Sequence, residues 1–319
     1  MIRPVPLLLI GLALALPLSL LAGRVWIDPF DPQTANAVVI LLELRLPRAV
    51  LALVVGAGLG AAGAAMQGYL RNPLADPGLF GIAPGAALGA VLSLWLGAAS
   101  VWALPLFALI GAGGAMALLA LIAGRNGGVA LFTLAGMMIA SLAGALMSLA
   151  ISLSPTPFAL SEIVTWLMGA LADRSWRDVW IAAPLTVAGL AVLAAARRGL
   201  DALTLGEPAA RSLGIAPGRL QGLMIAGIGL TVGASVAVAG IIGFVGLIVP
   251  HLVRPFTDRR PSALLLPSAL AGALLLLLAD CLCRVLPLVG GELRLGIALS
   301  LLGAPFFLHL LLGMRRGTV

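Results

Sequence analysis

Residues 203–220 read LTLGEPAARSLGIAPGRL, the longest soluble-looking stretch inside a chain that otherwise reads as membrane. Pro208 suits the first turn of a helix, where its missing N–H costs nothing, and Glu207 places negative charge at the positive end of that helix. Gly214 supplies the stop. The pattern predicts a short helix over Glu207–Leu213, outside the bilayer, with Ala209, Ala210 and Leu213 at helical spacing on one small apolar side.

On both sides of this stretch the chain is strongly apolar. Of 319 residues, 61% are hydrophobic and 10% charged, and the mean hydropathy is +1.16, outside the range of a soluble domain. Apolar runs long enough to cross about 30 Å of hydrocarbon at about 1.5 Å per residue recur along it, and without β alternation they must be helices. The expectation is an all-α polytopic membrane protein with about ten transmembrane helices: 4–23, 47–69, 78–97, 101–123, 129–153, 179–196, 220–239, 241–253, 262–283 and 295–313. The first is read as a retained helix, because AGRVWIDPFDP follows it in place of a small-residue cleavage site. The eighth is short, carries Pro250 and reads as a partial or bent crossing that needs protein around it. A short helix over 160–171 is expected to cap the outer end.

A net charge of +7 points to nucleic acid only in a soluble protein; here its sidedness matters. All nineteen basic residues are arginine, and with both termini cytoplasmic twelve fall inside and seven outside, which places 203–220 in the cytoplasm. The second helix carries Gly56, Gly58, Gly60 and Gly63 among alanines, a surface that lets other helices approach closely and belongs inside a bundle. Asn72-Pro73 and Asp76-Pro77 mark a tight inner turn after it. Cys281 and Cys283 lack the spacing of a zinc or redox site and read as core residues; His251 and His309 read as satisfied helix residues. Asp280 is the one carboxylate at a depth suited to a proton-coupled carrier, and Arg284 four residues on explains it as a local surface pair. That weakens the rival reading of an ATP-independent secondary transporter. With no H-E-x-x-H and no inward pair of carboxylates, no membrane enzyme is supported either.

Seven segments in order, RLPR (45–48), GAAMQGYLRNPLADPGLFGI (63–82), LAGMM (134–138), WLMGALADRSW (166–176), LGEPAARSLG (205–214), GFVGLIVPHLVR (243–254) and LGAPFFLHLLL (302–312), resemble the ABC importer permeases of the iron-siderophore, haem and vitamin B12 family. The resemblance spans nearly the whole chain, read as a single permease domain over 1–319. It implies a type II importer permease of the bacterial inner membrane: a homodimer of ten-helix subunits, two copies of an ABC ATPase that carry ATP and Mg, and a periplasmic substrate-binding protein. It implies a translocation subunit without cofactor, metal, catalytic residue or nucleic-acid partner. By position, Leu205, Gly206, Glu207, Ala209, Ala210, Arg211, Leu213 and Gly214 match the coupling helix that rests on the ATPase. Arg45, Arg48 and Arg284 match arginines that dock the binding protein, and Asn72 and Leu74 match a cytoplasmic gate. A second gate falls on Gly128, Val129 and Ala130, where the family's vitamin B12 members carry small hydroxyl residues. The cargo implied is a metal chelate, a ferric siderophore or haem on the strength of WLMGALADRSW, with cobalamin the alternative.

Overall fold

The computed structural model describes residues 4–23, 37–98, 100–124, 128–286 and 291–315. The described residues are helical, turn or irregular, and α1 (Pro4–Leu21) and a three-residue turn α2 (Ala37–Val39) come first. A π-helical stretch, Ile40–Arg45, then feeds α3 (Leu46–Leu70). There follow α4 (Ile82–Trp95), α5 (Ala103–Ala123), α6 (Val129–Ser152), α7 (Pro157–Leu167) and α8 (Trp176–Leu203). The rest is α9 (Glu207–Ser212), α10 (Pro217–Ala239), α11 (Val245–Val253), α12 (Pro261–Val285) and α13 (Leu295–Arg315). Each of the ten expected apolar runs holds a helix, and seven helices among the described residues are long and apolar enough to cross a membrane.

The spine is α3 with α10, both buried along most of their length. Glycine makes this possible: Gly56 and Gly60 lie on the backbone of Gly272 and Ser268 in α12, and Gly63 lies on Gly246 in α11. Backbones meet there with no room for a Cβ, which is how helices gain packing energy where lipid removes the hydrophobic driving force.

Two expected crossings are broken. In place of a helix from residue 78, a separate turn, Pro77–Leu79, leads into α4, with Gly81 in the left-handed region at φ 82°. The 14 residues of α4 cover only about 21 Å at the α-helical rise. On the other side, residues 240–243 lie outside any helix, with Gly240 at φ 72°, and Phe244 takes a left-handed φ of 66° before α11 begins. The segment runs alongside α13: Ile241 lies against Gly296, and the Phe244 ring against Gly303. Pro77 touches Gly246, and a cavity of about 90 Å³ separates the two breaks, lined by Asp76, Ser235, Gly240 and Gly243. Irregular backbone survives at this depth because protein surrounds it.

Several boundaries move for local reasons. α7 starts at Pro157, because the Thr156 hydroxyl accepts the Ala159 N–H at 3.1 Å, and it ends at Leu167, two residues before Gly169 with φ 68°. α8 extends past both hydrophobic limits, opening on a Ser175/Asp178 capping box and continuing through Arg197 and Arg198 to Leu203. α9 ends one residue early, at Ser212. His251 is not fully satisfied: its Nδ1 is buried without a partner among the described residues.

Candidate functional site

The end of the bundle that carries α9 brings together three segments singled out in the sequence. Pro208, Arg211, Ser212, Leu213 and Gly214 are exposed, as is Leu205 ahead of the helix. Ala210, expected on the face offered to a partner, instead turns inward, 2% exposed, into a seam with Tyr69, Leu203, Ile215 and Leu220. The short helix needs that anchor, since six residues do not hold a helix on their own. Gly206 precedes it at φ 96°, which lets the chain turn sharply out of α8.

Glu207 reaches the start of α6: its Oε1 accepts the Val129 N–H at 3.2 Å, beside Gly128. Ala130 next to them is exposed. One turn into α6, the Phe132 ring meets Tyr69 of α3 edge-on at 5.1 Å and lies over Phe80 at 6.1 Å. Between them the turn after α3 is held by its own side chain: Asn72 Oδ1 accepts the Leu74 N–H at 2.9 Å, with Arg71 left-handed at φ 50°. Asn72 is exposed and Leu74 half-buried. Gln67 donates to the carbonyls of Gly246 and Leu247 and accepts from Arg254 Nη2 at 2.8 Å, tying this turn to α11. Phe132 thus joins the start of α6, where one expected gate falls, to Tyr69 and Phe80, which flank in the chain the turn where the other falls.

The opposite end holds the three arginines, and all three are tied into the bundle, Arg48 and Arg284 at 12% and 5% side-chain exposure and Arg45 half-buried. Arg48 Nε and Nη2 grip Asp280 at 2.8–3.1 Å, and Nη2 also donates to Glu292 at 2.8 Å. Asp280 is 1% exposed and contacts Arg284 Nε at 3.1 Å, so the pair expected on a helix surface is buried and shared with a third residue. Arg284 Nη1 donates to the carbonyls of Ser19 and Ala22, and Arg45 Nη1 to those of Leu20 and Leu21. Positive charge thus closes the carbonyl end of α1, which has no basic residue in its own last turn. Helical spacing cannot reveal these contacts, because Arg45 reaches back 24 and 25 residues, Arg48 reaches Asp280 across 232 and Arg284 reaches Ser19 across 265.

The chain matches the FecCD transport family model over residues 8–313. It belongs to that family. It is 41% identical over 308 residues to the vitamin B12 import system permease protein BtuC of Escherichia coli O9:H4 (strain HS), covering 95% of this chain and 93% of the relative. The same protein of Salmonella typhi is 40% identical over 308 residues, with the same coverage of both chains. A solved structure described as an inward-facing conformation of a metal-chelate type ABC transporter superposes with a TM-score of 0.87 at 32% identity, covering 98% of each chain. The protein is therefore an ABC importer permease, a non-catalytic subunit that crosses the bacterial inner membrane repeatedly.

Proposed function

We propose that this permease moves a metal chelate from periplasm to cytoplasm, driven by ATP hydrolysis on a separate subunit. The observation that carries the reading is α9: a short helix pinned to the bundle by Ala210, with Leu205, Arg211 and Leu213 exposed, in a family whose members are importer permeases. In this reading α9 and both termini are cytoplasmic, two copies of the chain enclose the pathway, and one ATPase rests on each α9. ATP and Mg belong to that subunit, and this chain binds no cofactor. Asn72 and Leu74, with Gly128, Val129 and Ala130, close the inner end. At the outer end a periplasmic binding protein docks over the end of the bundle that Arg45, Arg48 and Arg284 hold together, the half-buried Arg45 being the more accessible of the three. Electrostatic contact there orients a partner and raises its on-rate more than it adds affinity.

Among chelates, cobalamin is favoured by one observation, the names of the 41% and 40% identical relatives, over the ferric siderophore or haem suggested by 166–176. The test is uptake into proteoliposomes holding the permease with its ATPase and binding protein, supplied with radiolabelled cyanocobalamin, ferrichrome or haemin. ATP-dependent accumulation of one of them, abolished by Leu213→Glu, is expected. Accumulation driven by an ion gradient without the ATPase would establish a secondary transporter instead.

A further inference from the structure

α6 is 24 residues long and opens on Gly128, which has no side chain to satisfy the first amides of the helix. The missing acceptor comes from α9, 78 residues away, as the Glu207 Oε1 to Val129 N–H bond. A carboxylate at the positive end of a long helix is held by charge as well as by the hydrogen bond, and such bonds are directional. The other oxygen, Oε2, faces Arg211 Nη2 at 3.8 Å within α9 itself. Everything else at this joint is apolar seam, namely Tyr69, Leu203, Ala210, Ile215, Pro217 and Leu220 around a void of about 20 Å³. Apolar contacts are non-directional and let two surfaces slide; the Glu207 bond fixes their register.

We infer that Glu207 is a strut, a positioning residue that makes the α6 N-terminus follow α9 when the ATPase displaces it. This rests on the reading of α9 as the ATPase-contacting helix. The strut ends at Gly128–Ala130, so the part of α6 that it moves is the part expected to gate. Phe132, edge-on to Tyr69 and stacked on Phe80, carries the same displacement toward the Asn72–Leu74 turn that lies between them in the chain.

Removing Glu207 has two effects, loss of a cap and loss of a link, and Gly128 separates them. Its backbone is extended, φ −69° and ψ 177°, as an N-cap residue requires. The nearest atoms to an added Cβ are those of the Glu207 carboxylate, at 3.4 Å. Gly128→Ser in a Glu207→Ala background therefore fits, and it restores a hydroxyl cap to α6 while leaving α9 unlinked.

The experiment uses the full complex with its ATPase in nanodiscs, with Cys281 and Cys283 replaced by alanine and Ala130→Cys as reporter. Maleimide labelling of position 130 is compared without nucleotide and with ATP and vanadate, together with retention of the ATPase and thermal stability. On trapping, the parent changes its labelling rate about tenfold, and E207A/G128S, as stable as the parent, changes less than about twofold. E207Q, whose amide oxygen still accepts from Val129, keeps most of the response. A parent-like response in E207A/G128S would overturn the strut and leave Glu207 a cap. Loss of the ATPase from that variant alone would overturn it too, by making Glu207 a docking contact. If the parent itself retains no ATPase, the coupling reading falls and takes the strut with it.

Discussion

Asp280 shows what one buried charge organises. Its neighbour four residues on was legible from helical spacing, but Arg48, 232 residues away, was not, since an ion pair between distant segments leaves no periodic signal. With one carboxylate between two guanidiniums at 12% and 5% exposure, removal of the acid is much worse than removal of one base. Asp280→Ala leaves Arg284 buried without a carboxylate and Arg48 with Glu292 alone, and it is expected to cost about 3–5 kcal/mol, read as an earlier SDS unfolding midpoint in detergent. Pairing it with Arg48→Met should recover part of the loss, because the interaction energy of touching residues is not additive. A midpoint equal to the parent's for Asp280→Ala would show that the cluster does not hold α3, α12 and the carbonyl end of α1 together.

At the scale of elements, the sequence located every apolar run and misjudged those in which helix gives way to irregular backbone. Hydropathy averages over a window, so the break at Pro77–Leu79 was missed, and the eighth run, read as a partial or bent crossing because of Pro250, breaks instead at residues 240–244 ahead of α11. The glycines of α3 were a better guide, because close approach demands a missing side chain and little else does. Gly63→Ala tests that demand: its Cβ would fall on the backbone of Gly246, which has no rotamer by which to yield. A loss of about 1–3 kcal/mol and a lower melting temperature are expected, as for overpacked cores. Gly144→Ala in α6, with nothing within 4 Å of the new carbon, should melt like the parent. Equal melting of both variants would mean that α11 shifts freely against α3.

For the whole molecule, burial is uneven: the apolar window of α10 is 78% buried, those of α5 and α6 only 28%. Surfaces facing lipid and surfaces facing a second copy are equally apolar, so composition cannot separate them, and the expectation that the Asn72–Leu74 turn gates on a dimer axis comes from family resemblance alone. Geometry supplies a reason to test it. The Asn72 side chain bonds the Leu74 amide, Asn72 N–H bonds the Gln67 carbonyl at 3.1 Å, and the turn is thereby fixed at the end of the buried helix α3. A side chain on so rigid a turn occupies one place in each subunit, so two copies arranged with that turn on the axis oppose their leucines and exclude water by an apolar constriction. Opening then requires the subunits to separate at this point when the ATPases close on α9. Leu74→Cys, in a chain with Cys281 and Cys283 replaced by alanine, should form an intersubunit disulfide under mild oxidation without nucleotide, since the bond needs Cα atoms within about 7 Å. Trapping with ATP and vanadate should reduce it several-fold. An intact dimer that fails to cross-link in both states would place the turn off the axis and leave it a connector between α3 and α4.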